Sequence, residues 1–441
     1  MNYPDSVHFL YALGNEIKTA KFGLERIRAV LDALGRPQDR LHFVHVAGTN
    51  GKGSVCAMLE SGLRAAGRHT GLFTSPHLAE PTERIRIDGE PVSAERFAAA
   101  FERVHACVEA LIAQGAIDMH TTYFETVTAM ALTVFEEERV DMVVLEVGLG
   151  GRLDATNVVI PDLAVITPID FDHEAYLGKS LDSIATEKAG ILKPGVPAVF
   201  ARQRPEAARV LEARGVDAWR TEDWPLSDLE LDAHGSRFRI DRSLAVAAQK
   251  AAAAQPLFPS RDREGAVLSI HCPLAGEHQV ENAVTAALAL LRMGIPNSAI
   301  EAGIAQTRWP GRLEHVAGKF VLDGAHNPAG ARALAAYLQR FYANRRIRLI
   351  YGAMRDKAVA EISGILFPLA EQVIVTAPHQ ARALAPETLR EISDHSNLTI
   401  APNIKSALAM PTDADVTFVT GSLFLVAEAR PLLARQHRFD Q

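Results

Sequence analysis

The chain has 441 residues, which is enough for two or three domains of ordinary size. Its 46 Lys and Arg residues are outnumbered by 53 Asp and Glu residues, so the formal net charge is -7. This balance argues against nucleic acid as a partner, because it gives no basic footprint for a phosphate backbone. Apolar residues make up 48% and charged residues 22%, a composition typical of a soluble globular protein.

The N-terminal segment MNYPDSVHFLYALGNEI has no basic stretch followed by an apolar one, and no apolar run reaches about 18 residues. We therefore expect a cytoplasmic protein without a membrane span. Cys56, Cys107 and Cys272 form no CxxC pair, which argues against a disulfide scaffold and against a structural zinc site. The three thiols are interpreted as packing residues.

The first strong pattern is a predicted buried strand, Leu41–Val46, followed by a glycine-rich loop (Gly48–Ser54) and an amphipathic helix, Val55–Ala66. Glycines let the backbone N–H groups surround phosphate oxygens, and the helix N-terminus and Lys52 add positive charge. The common GxxxxGK[ST] pattern fails, since its first glycine is missing and Gly53 stands in place of Ser or Thr. The sequence predicts a variant phosphate-binding loop; the alternative is a plain strand-to-helix turn with an incidental lysine.

Further along the chain, helical and strand patterns alternate. Phe124–Glu137 has the spacing of an amphipathic helix, and Met142–Val147 and Leu163–Thr167 are predicted buried strands. Such alternation is typical of a parallel sheet covered by helices. The predicted fold class is therefore α/β, with a mostly parallel sheet that contains the phosphate loop.

Acidic and imidazole side chains follow two of these strands. Glu146 ends one strand, and Asp170, Asp172 and His173 come just after another. The carboxyl ends of parallel strands meet at one edge of the sheet, beside the glycine-rich loop. Carboxylate, hydroxyl and imidazole groups there could hold Mg²⁺ on nucleotide phosphates. Since imidazole is an unusual ligand for Mg²⁺, a purely structural role for His173 stays open.

Lys188 stands at an otherwise small and apolar helix end, Thr186–Ile191. Most such lysines extend their ammonium group to solvent. A lysine that burial keeps neutral could instead add CO₂ and become a carbamate, which would supply an anionic ligand near cations. The sequence leaves both interpretations open.

The middle of the chain changes character. Leu229–Ile240 alternates around a turn signal at 233–235, which predicts a small antiparallel hairpin. Ser243–Gly265 follows, with the runs AVAAQKAAAAQ and PLFPSRDREG, and has the composition of an exposed insertion or of a marginal helix plus loop.

A second series of short strands begins after Pro296, and helical patterns such as Ala329–Arg340 and Pro386–Ser393 separate them. The predicted strands are Phe320–Leu322, Ile347–Tyr351, Gln372–Thr376, Leu398–Ile400 and Val416–Thr420. We therefore divide the chain into a first domain, 1–295, and a smaller Rossmann-like α/β domain, 296–441.

Two charged side chains lie near the start of this second domain. Arg312 could reach back to a nucleotide phosphate, and Asp323, at the carboxyl end of a strand, could accept hydrogen bonds from ribose hydroxyls. The alternative for this segment is a turn and a helix N-cap.

The motifs occur in a fixed order along nearly the whole chain, with the exception of Ser243–Gly265. They are AGTNGKGS, SPHL with ERIRIDG, TYFE, EVGLGGRLDATN, DHEAYLG, EKAGILK, GEHQVENA, PGRLE and DGAHNP. Three further motifs belong to the same set, namely GLERI, GAMRDK and TGSLFLVAE. In content and order they resemble the folylpolyglutamate synthase / dihydrofolate synthase family of the Mur ligase superfamily.

The resemblance implies a role for each matching residue. ATP would be bound by Thr49, Asn50, Gly51, Lys52, Gly53, Ser54, Asn282, Arg312, Asp323 and His326. Mg²⁺ would be held by Ser75, Glu146 and His173, and Lys188 would be carbamylated. The pterin-bearing substrate would contact Thr122, Tyr123, Phe124, Glu125 and Asp154, with Gly23–Arg26 bordering the same pocket. The catalytic set would be Lys52, Lys188, His173 and Arg312.

The implied reaction is ATP-driven amide bond formation by a monomeric enzyme. A substrate carboxylate attacks the γ-phosphate, and the amine of L-glutamate then displaces phosphate from the acyl phosphate. The implied substrates are ATP, L-glutamate and either dihydropteroate or reduced folates, and ATP would lie between the two domains. Activity on both acceptors is favoured over either one alone.

Two other classes of protein are weighed against this one. A cell-wall Mur ligase would need an N-terminal domain for a UDP-sugar, and only about 40 residues precede the first predicted strand. A switch-type P-loop NTPase would not explain Glu146 together with Lys188, and Gly53 departs from its loop pattern. Both alternatives are therefore disfavoured.

Overall fold

The structure is a computed structural model that describes residues 1–13, 23–241 and 267–439. The predicted insertion, 243–265, lies outside the described residues. In the described part of the chain, strands assemble into sheets of eight, three and six strands.

The eight-stranded sheet has the order β4-β3-β2-β5-β1-β6-β7-β8. Its central strands are parallel, and only β3 and β4 at one edge run antiparallel to their neighbours. The strands are β1 (Phe43–Ala47), β2 (Thr70–Phe73), β3 (Ile85–Ile87), β4 (Glu90–Pro91), β5 (Met142–Glu146), β6 (Leu163–Ile166), β7 (Ala198–Phe200) and β8 (Ala218–Arg220). This arrangement confirms the predicted mostly parallel α/β sheet.

Helices cover both faces of this sheet because its central strands are apolar on both sides. They are α1 (Tyr3–Ala12), α2 (Glu25–Ala33), α3 (Lys52–Ala65), α4 (Ala94–Ala113), α5 (Tyr123–Glu138), α6 (Glu174–Leu177), α7 (Leu181–Lys188) and α8 (Pro205–Glu212). Short 3₁₀ helices lie at Pro37–Arg40, Pro81–Arg84, Ala155–Val158, Ala189–Ile191, Thr221–Asp223 and Phe367–Leu369.

The predicted hairpin is present as β9 (Leu226–Leu231) and β10 (Ser236–Asp241), and β11 (Val267–Cys272) pairs antiparallel with β10. Residues alternate between buried and exposed along β10 and β11. One face of this small sheet therefore packs on the core, as expected for an antiparallel sheet with one solvated side.

Two helices follow, α9 (Glu277–Arg292) and α10 (Asn297–Gln306), and both pack against α3. The Ser61 hydroxyl donates to the Gly303 carbonyl at 2.7 Å, and a Cβ on Gly303 would lie 2.4 Å from the Gly62 Cα. Only glycine allows helices to approach so closely. Helix α10 thus packs with the first sheet, although the division at 295/296 groups it with the second.

The six-stranded sheet has the order β12-β13-β17-β14-β15-β16 and is parallel except for β12 at its edge. Its strands are β12 (Glu314–Val316), β13 (Phe320–Leu322), β14 (Ile347–Tyr351), β15 (Gln372–Val375), β16 (Leu398–Ile400) and β17 (Val416–Thr420). Its helices are α11 (Pro328–Phe341), α12 (Val359–Leu366), α13 (Pro386–Glu391), α14 (Ile404–Ala409) and α15 (Leu423–Phe439). The predicted smaller Rossmann-like α/β unit is therefore present.

Among the described residues, no helix combines the length and the apolarity that crossing a bilayer requires.

Cys56 and Cys272 are buried, Cys107 is half-buried, and burial raises the pKa of all three thiols. Burial and a raised pKa are the environment expected of packing thiols.

Candidate active site

The glycine-rich loop is held in shape by the segment that follows β6. The backbone N–H groups of Thr49 and Asn50 donate to the Pro168 carbonyl at 3.0 and 3.3 Å, and the Thr49 hydroxyl donates to the Asp170 carbonyl at 2.9 Å. Gly51 has a φ of 86°, and a Cβ there would lie 2.2 Å from the Asn282 Oδ1. The turn into α3 therefore requires glycine and brings Asn282 onto the loop.

Two lysine ammonium groups converge on one carbonyl of this loop. The Nζ atoms of Lys52 and Lys188 donate to the Gly48 oxygen at 3.1 and 2.7 Å. Lys188 is only 4% exposed, so the interpretation in which it extends to solvent is wrong. Burial, assisted by the charge of Lys52, lowers the pKa of Lys188 to about 7. A large fraction of Lys188 is therefore neutral near neutral pH, as a lysine that reacts with CO₂ must be.

Glu146 lies at the end of β5 and faces the same loop. Its Oε2 accepts a hydrogen bond from the Ser75 N–H at 2.9 Å, and the side chain is buried. Burial raises the pKa of Glu146, while the nearby charges of Lys52 and Arg312 and the Ser75 N–H act in the opposite direction. The carboxylate is thus poorly hydrated and has cationic neighbours from both halves of the molecule.

His173 follows β6 with a left-handed backbone, φ 54°. Its Nε2 lies 3.9 Å from Oδ1 of Asp172. Burial lowers the pKa of His173 to about 4, in spite of the opposite effect of Asp172. The imidazole is therefore neutral at neutral pH and offers a lone pair, which is the form that binds metal ions.

Arg312 and Asp323 come from the C-terminal unit. The Asp323 carboxylate accepts hydrogen bonds from the backbone N–H groups of Leu313 and Ala325 at 3.1 and 3.0 Å. Burial lowers the pKa of Arg312, while the charges of Asp323 and Glu146 counteract this effect. Asp323 thus orders the turn that carries Arg312, and both side chains face the cavity described below.

The two units also meet through contacts that sequence reasoning did not identify. The Asn327 Nδ2 donates to Oδ1 of Asn50 at 2.9 Å and to Oδ2 of Asp172 at 3.0 Å. The Lys357 Nζ donates to the other oxygen of Asp172 at 2.7 Å, and both side chains are about nine-tenths buried. The motifs DGAHNP and GAMRDK contained both residues, but nothing in either motif indicated a partner near 172.

His326 is placed beside the same cluster. Its Nδ1 donates to the Gly324 carbonyl at 2.8 Å, and its Nε2 lies 3.7 Å from Oδ2 of Asp172. Burial lowers the pKa of His326 to about 4. A neutral imidazole from the C-terminal unit therefore lies across from the neutral imidazole of His173.

Most of these residues line one cavity of about 340 Å³ between the two units, called here the large cavity, whereas Lys357 lines a neighbouring one. The structure brings together every residue predicted for ATP, the metal ion and the carbamate. They are Thr49, Asn50, Gly51, Lys52, Gly53, Ser54, Ser75, Glu146, His173, Lys188, Asn282, Arg312, Asp323 and His326. Their positions support the prediction that one nucleotide contacts both halves of the chain.

A second cavity of about 230 Å³ adjoins the first and is called here the small cavity. The two cavities share lining residues, namely Ser75, Pro76, Gly148, Leu149, His173, His326 and Leu423. The predicted substrate residues Thr122, Phe124, Glu125 and Asp154 line the small cavity, as does Gly23.

Tyr123 is the exception among the predicted substrate residues. Its ring is buried, stacks on Tyr11 with the centroids 5.8 Å apart, and lies under the Arg84 guanidinium. Residues 123 and 124 are about 100° apart around a helix, so the helix turn that points Phe124 to the cavity points Tyr123 elsewhere. The structure therefore does not bring Tyr123 to the small cavity.

The acidic residues of the small cavity also shape its wall. The Glu125 carboxylate accepts hydrogen bonds from the Thr122 N–H at 2.8 Å and from the Arg26 guanidinium at 3.2 Å, and Thr122 caps α5 in return. Asp154 accepts hydrogen bonds from the N–H of Leu149 at 2.8 Å, and burial raises its pKa. These carboxylates fix the entrance of α5 and the loop after β5.

Comparisons with known proteins agree with this arrangement. Residues 46–290 match the model of the Mur ligase middle domain, and residues 311–423 match that of the Mur ligase glutamate ligase domain. The chain is therefore a Mur ligase, a class of ATP-dependent ligases.

Individual relatives identify the family within the Mur ligases. The dihydrofolate synthase/folylpolyglutamate synthase of Mycobacterium tuberculosis is 37% identical over 93% of this chain and 90% of its own length. The folylpolyglutamate synthase of Lacticaseibacillus casei is 33% identical over 98% of this chain and 99% of its own. The structure of Escherichia coli FolC in complex with DHPP and ADP is 30% identical with a TM-score of 0.82, and the alignment covers 99% of this chain and 98% of that chain. The chain belongs to the folylpolyglutamate synthase / dihydrofolate synthase family.

Proposed function

We propose that this enzyme joins L-glutamate to the carboxylate of dihydropteroate and to that of reduced folates, so that it acts both as dihydrofolate synthase and as folylpolyglutamate synthase. ATP supplies the free energy through an acyl phosphate. The alternative is activity on only one of the two acceptors, as the name of the Lacticaseibacillus casei relative indicates for that protein.

The observation that carries the proposal is the junction of the two cavities. The large cavity is lined by the glycine-rich loop and by two lysines, which suit a nucleoside triphosphate. The small cavity has Phe124 and Leu153 in its wall, which suit a flat pterin ring. Ser75, His173 and His326 border both cavities, so a carboxylate carried by the pterin can reach the γ-phosphate there.

Ser75, Glu146 and His173 would hold Mg²⁺ at this junction. The donor set fits the ion: Glu146 is a buried carboxylate whose neighbours are cationic, and His173 is neutral at neutral pH. A bound Mg²⁺ would neutralise charge on the phosphates. A carbamate on Lys188 would add an anionic oxygen beside the same loop, and its Nζ would no longer carry a charge next to Lys52.

The chain's own groups then position the reactants and balance charge. The carboxylate oxygen of the acceptor forms a bond to the γ-phosphorus, and ADP leaves. Lys52 and Arg312 stabilise the negative charge that moves onto the phosphate oxygens. The amine of L-glutamate then attacks the acyl carbon, and phosphate departs with one former carboxylate oxygen.

Contacts between the two units lie beside this junction. Asp172 binds Asn327 and Lys357 of the C-terminal unit, and Asn327 binds the glycine-rich loop through Asn50. These contacts hold the two units together over the cavities. We infer that the units close on bound substrates and reopen to release products.

The proposal is tested by ADP release from the purified enzyme with dihydropteroate, and separately with tetrahydrofolate, each with and without L-glutamate. The expected result is ADP formation with both acceptors that requires L-glutamate. ADP formation with one acceptor alone would show a single activity. ATP turnover that ignores both acceptor and glutamate would contradict the ligase itself.

A further inference from the structure

A cluster of two imidazoles and a carboxylate lies away from both cavities. His105 and Glu109 are four residues apart on α4 and therefore share one side of that helix, and His120 lies just before α5. Nδ1 of His105 is 3.2 Å from Nε2 of His120. One candidate ligand atom from each of the three residues lies within 4.8 Å of the other two.

The hydrogen bonds of His120 determine which of its nitrogens is available. Its Nδ1 lies 2.9 Å from the Thr121 carbonyl oxygen, and since a carbonyl can only accept, Nδ1 carries the proton. Nε2 of the neutral ring therefore accepts a hydrogen bond from Nδ1 of His105. When the His105 proton moves to its own Nε2, the facing nitrogens of both rings have lone pairs for a cation. A backbone carbonyl that accepts from the second imidazole nitrogen is the usual support of a metal-bound histidine.

Two phenylalanines hold the imidazoles in place. The Phe101 ring stacks on His105 with the planes 11° apart, and Phe9 packs against both imidazoles with centroids 4.6 and 5.3 Å away. Both imidazoles are half-buried, while Glu109 is exposed at the edge of the cluster. The imidazoles thus have an apolar wall on one side and an opening to water on the other.

We propose that His105, Glu109 and His120 bind a divalent transition-metal cation of the Zn²⁺ type, with water as the fourth ligand. Metal–nitrogen bonds of about 2.0–2.1 Å in a tetrahedron separate two ligand nitrogens by roughly 3.3 Å. The two imidazole nitrogens lie 3.2 Å apart, which fits this separation. Imidazole donors favour Zn²⁺ over Mg²⁺, which prefers oxygen ligands and octahedral geometry.

The site joins α4 to the segment that leads into α5. Thr121, whose carbonyl supports His120, directly precedes Thr122, the N-cap residue that lines the small cavity. A bound cation would therefore fix the start of α5 from outside the cavity. The site requires no cysteine, so the spacing of Cys residues gave no indication of it.

The test uses the full-length enzyme, stripped of metals with a chelator and then saturated with Mg²⁺ and ADP so that the nucleotide site is occupied. Co²⁺ serves as the spectroscopic probe, and Zn²⁺ binding is measured by calorimetry. The expected result is one bound Co²⁺ per chain with the visible absorption of a tetrahedral site. Glu109→Gln and His120→Gln should each raise the Kd for Zn²⁺ by at least about tenfold, which corresponds to about 1.4 kcal/mol.

The control is His234→Gln, because His234 also neighbours a second imidazole, that of His315, with ring centroids 4.4 Å apart. This control should bind Zn²⁺ as the unmodified enzyme does. Glu109 is exposed, so its substitution leaves the core intact, and melting curves verify the folding of each variant. Absence of a bound Co²⁺, or unchanged Zn²⁺ affinity in either Glu109→Gln or His120→Gln, would overturn the proposal.

Discussion

Asn327 in the C-terminal unit donates a hydrogen bond from its Nδ2 to Oδ1 of Asn50 in the glycine-rich loop, over 2.9 Å. The two residues are 277 positions apart in the chain. The same amide nitrogen reaches Asp172, so one side chain connects the C-terminal unit to two segments of the large cavity. The relative position of the two units is therefore coupled to the shape of the loop.

The first prediction separates this coupling from helix capping. Asn327 also caps α11 by accepting from the Gly330 N–H, as Asn403 caps α14 by accepting from the Ser406 N–H. Asn403→Ala should lower the free energy of unfolding by about 1 kcal/mol, and Asn327→Ala should lower it by more, because it loses hydrogen bonds between the units as well as the cap. Only Asn327→Ala should also raise KM for ATP and lower kcat, by roughly tenfold in kcat/KM, because it loses buried hydrogen bonds between the units. Equal kinetics in the two variants would refute the coupling.

The second prediction concerns Lys52. Lys52→Ala should lower kcat by roughly 10²–10³-fold at saturating ATP, since one preorganised cation at the phosphates is lost. Its thermal midpoint should stay close to that of the unmodified enzyme, because the side chain is only half-buried. Lys405→Ala, at an exposed lysine, is the control and should retain full turnover. Near-normal turnover of Lys52→Ala would show that the loop does not bind the triphosphate.

The third prediction concerns the modification of Lys188. ¹³C-labelled bicarbonate should give a carbamate signal in NMR spectra of the enzyme, and Lys188→Ala should lose this signal. Lys193→Ala is the matched control, since burial lowers the pKa of Lys193 as well, and it should keep the signal. A short carboxylic acid should restore part of the activity of Lys188→Ala. A spectrum without the signal at neutral pH would rule out the carbamate.

The fourth prediction concerns how the free energy of unfolding depends on pH when Lys188 is not carbamylated. Burial lowers the pKa of Lys188 from 10.5 to about 7, so the unfolded chain binds a proton that the folded enzyme lacks between these values. In CO₂-free buffer, the free energy of unfolding should therefore gain a positive contribution as the pH rises through this window. Below pH 7, Lys188 is charged in the folded and in the unfolded protein, so the burial of its charge lowers the free energy of unfolding by the full amount. Lys188→Met should remove this contribution, and denaturant titrations at several pH values compare the two proteins. Identical pH profiles would contradict the burial of the charge.

The fifth prediction distinguishes two neighbouring aromatic residues. Phe124→Ala should raise KM for dihydropteroate up to about tenfold, the loss expected for one aromatic contact, with little effect on KM for ATP. Tyr123→Phe should leave both values unchanged, because the Tyr123 ring packs away from the small cavity. Steady-state kinetics with each substrate varied in turn provide the comparison. A larger rise in KM for dihydropteroate in Tyr123→Phe than in Phe124→Ala would show that the pterin does not bind in the small cavity.

Much of the fold could be predicted because continuous apolar runs between turn residues define buried parallel strands. Four strands of the C-terminal sheet, β13, β14, β16 and β17, have the predicted bounds. Strand β11 was not predicted, since it follows the unusual composition of 243–265. The sheet to which α10 belongs could not be predicted either, because an amphipathic pattern shows that one face is buried but does not identify its partner.

The site shows the same division between local and long-range information. Local motifs indicated the residues of the loop and of the strand ends, because phosphate and metal binding need particular residue types at fixed spacing. The contacts of Asn327 and Lys357 with Asp172 depend on how two units dock, and residues 172 and 357 are 185 positions apart. A single sequence contains no pattern for such a contact.

The most direct measurement follows one oxygen atom. If a carboxylate at the junction of the two cavities attacks the γ-phosphate, an acceptor with an ¹⁸O-labelled carboxylate must transfer one labelled oxygen to phosphate in each turnover. Mass spectrometry of the phosphate released from dihydropteroate, ATP and L-glutamate should detect this single transferred ¹⁸O. Unlabelled phosphate, formed together with the glutamate adduct, would show that no acyl phosphate links the two cavities.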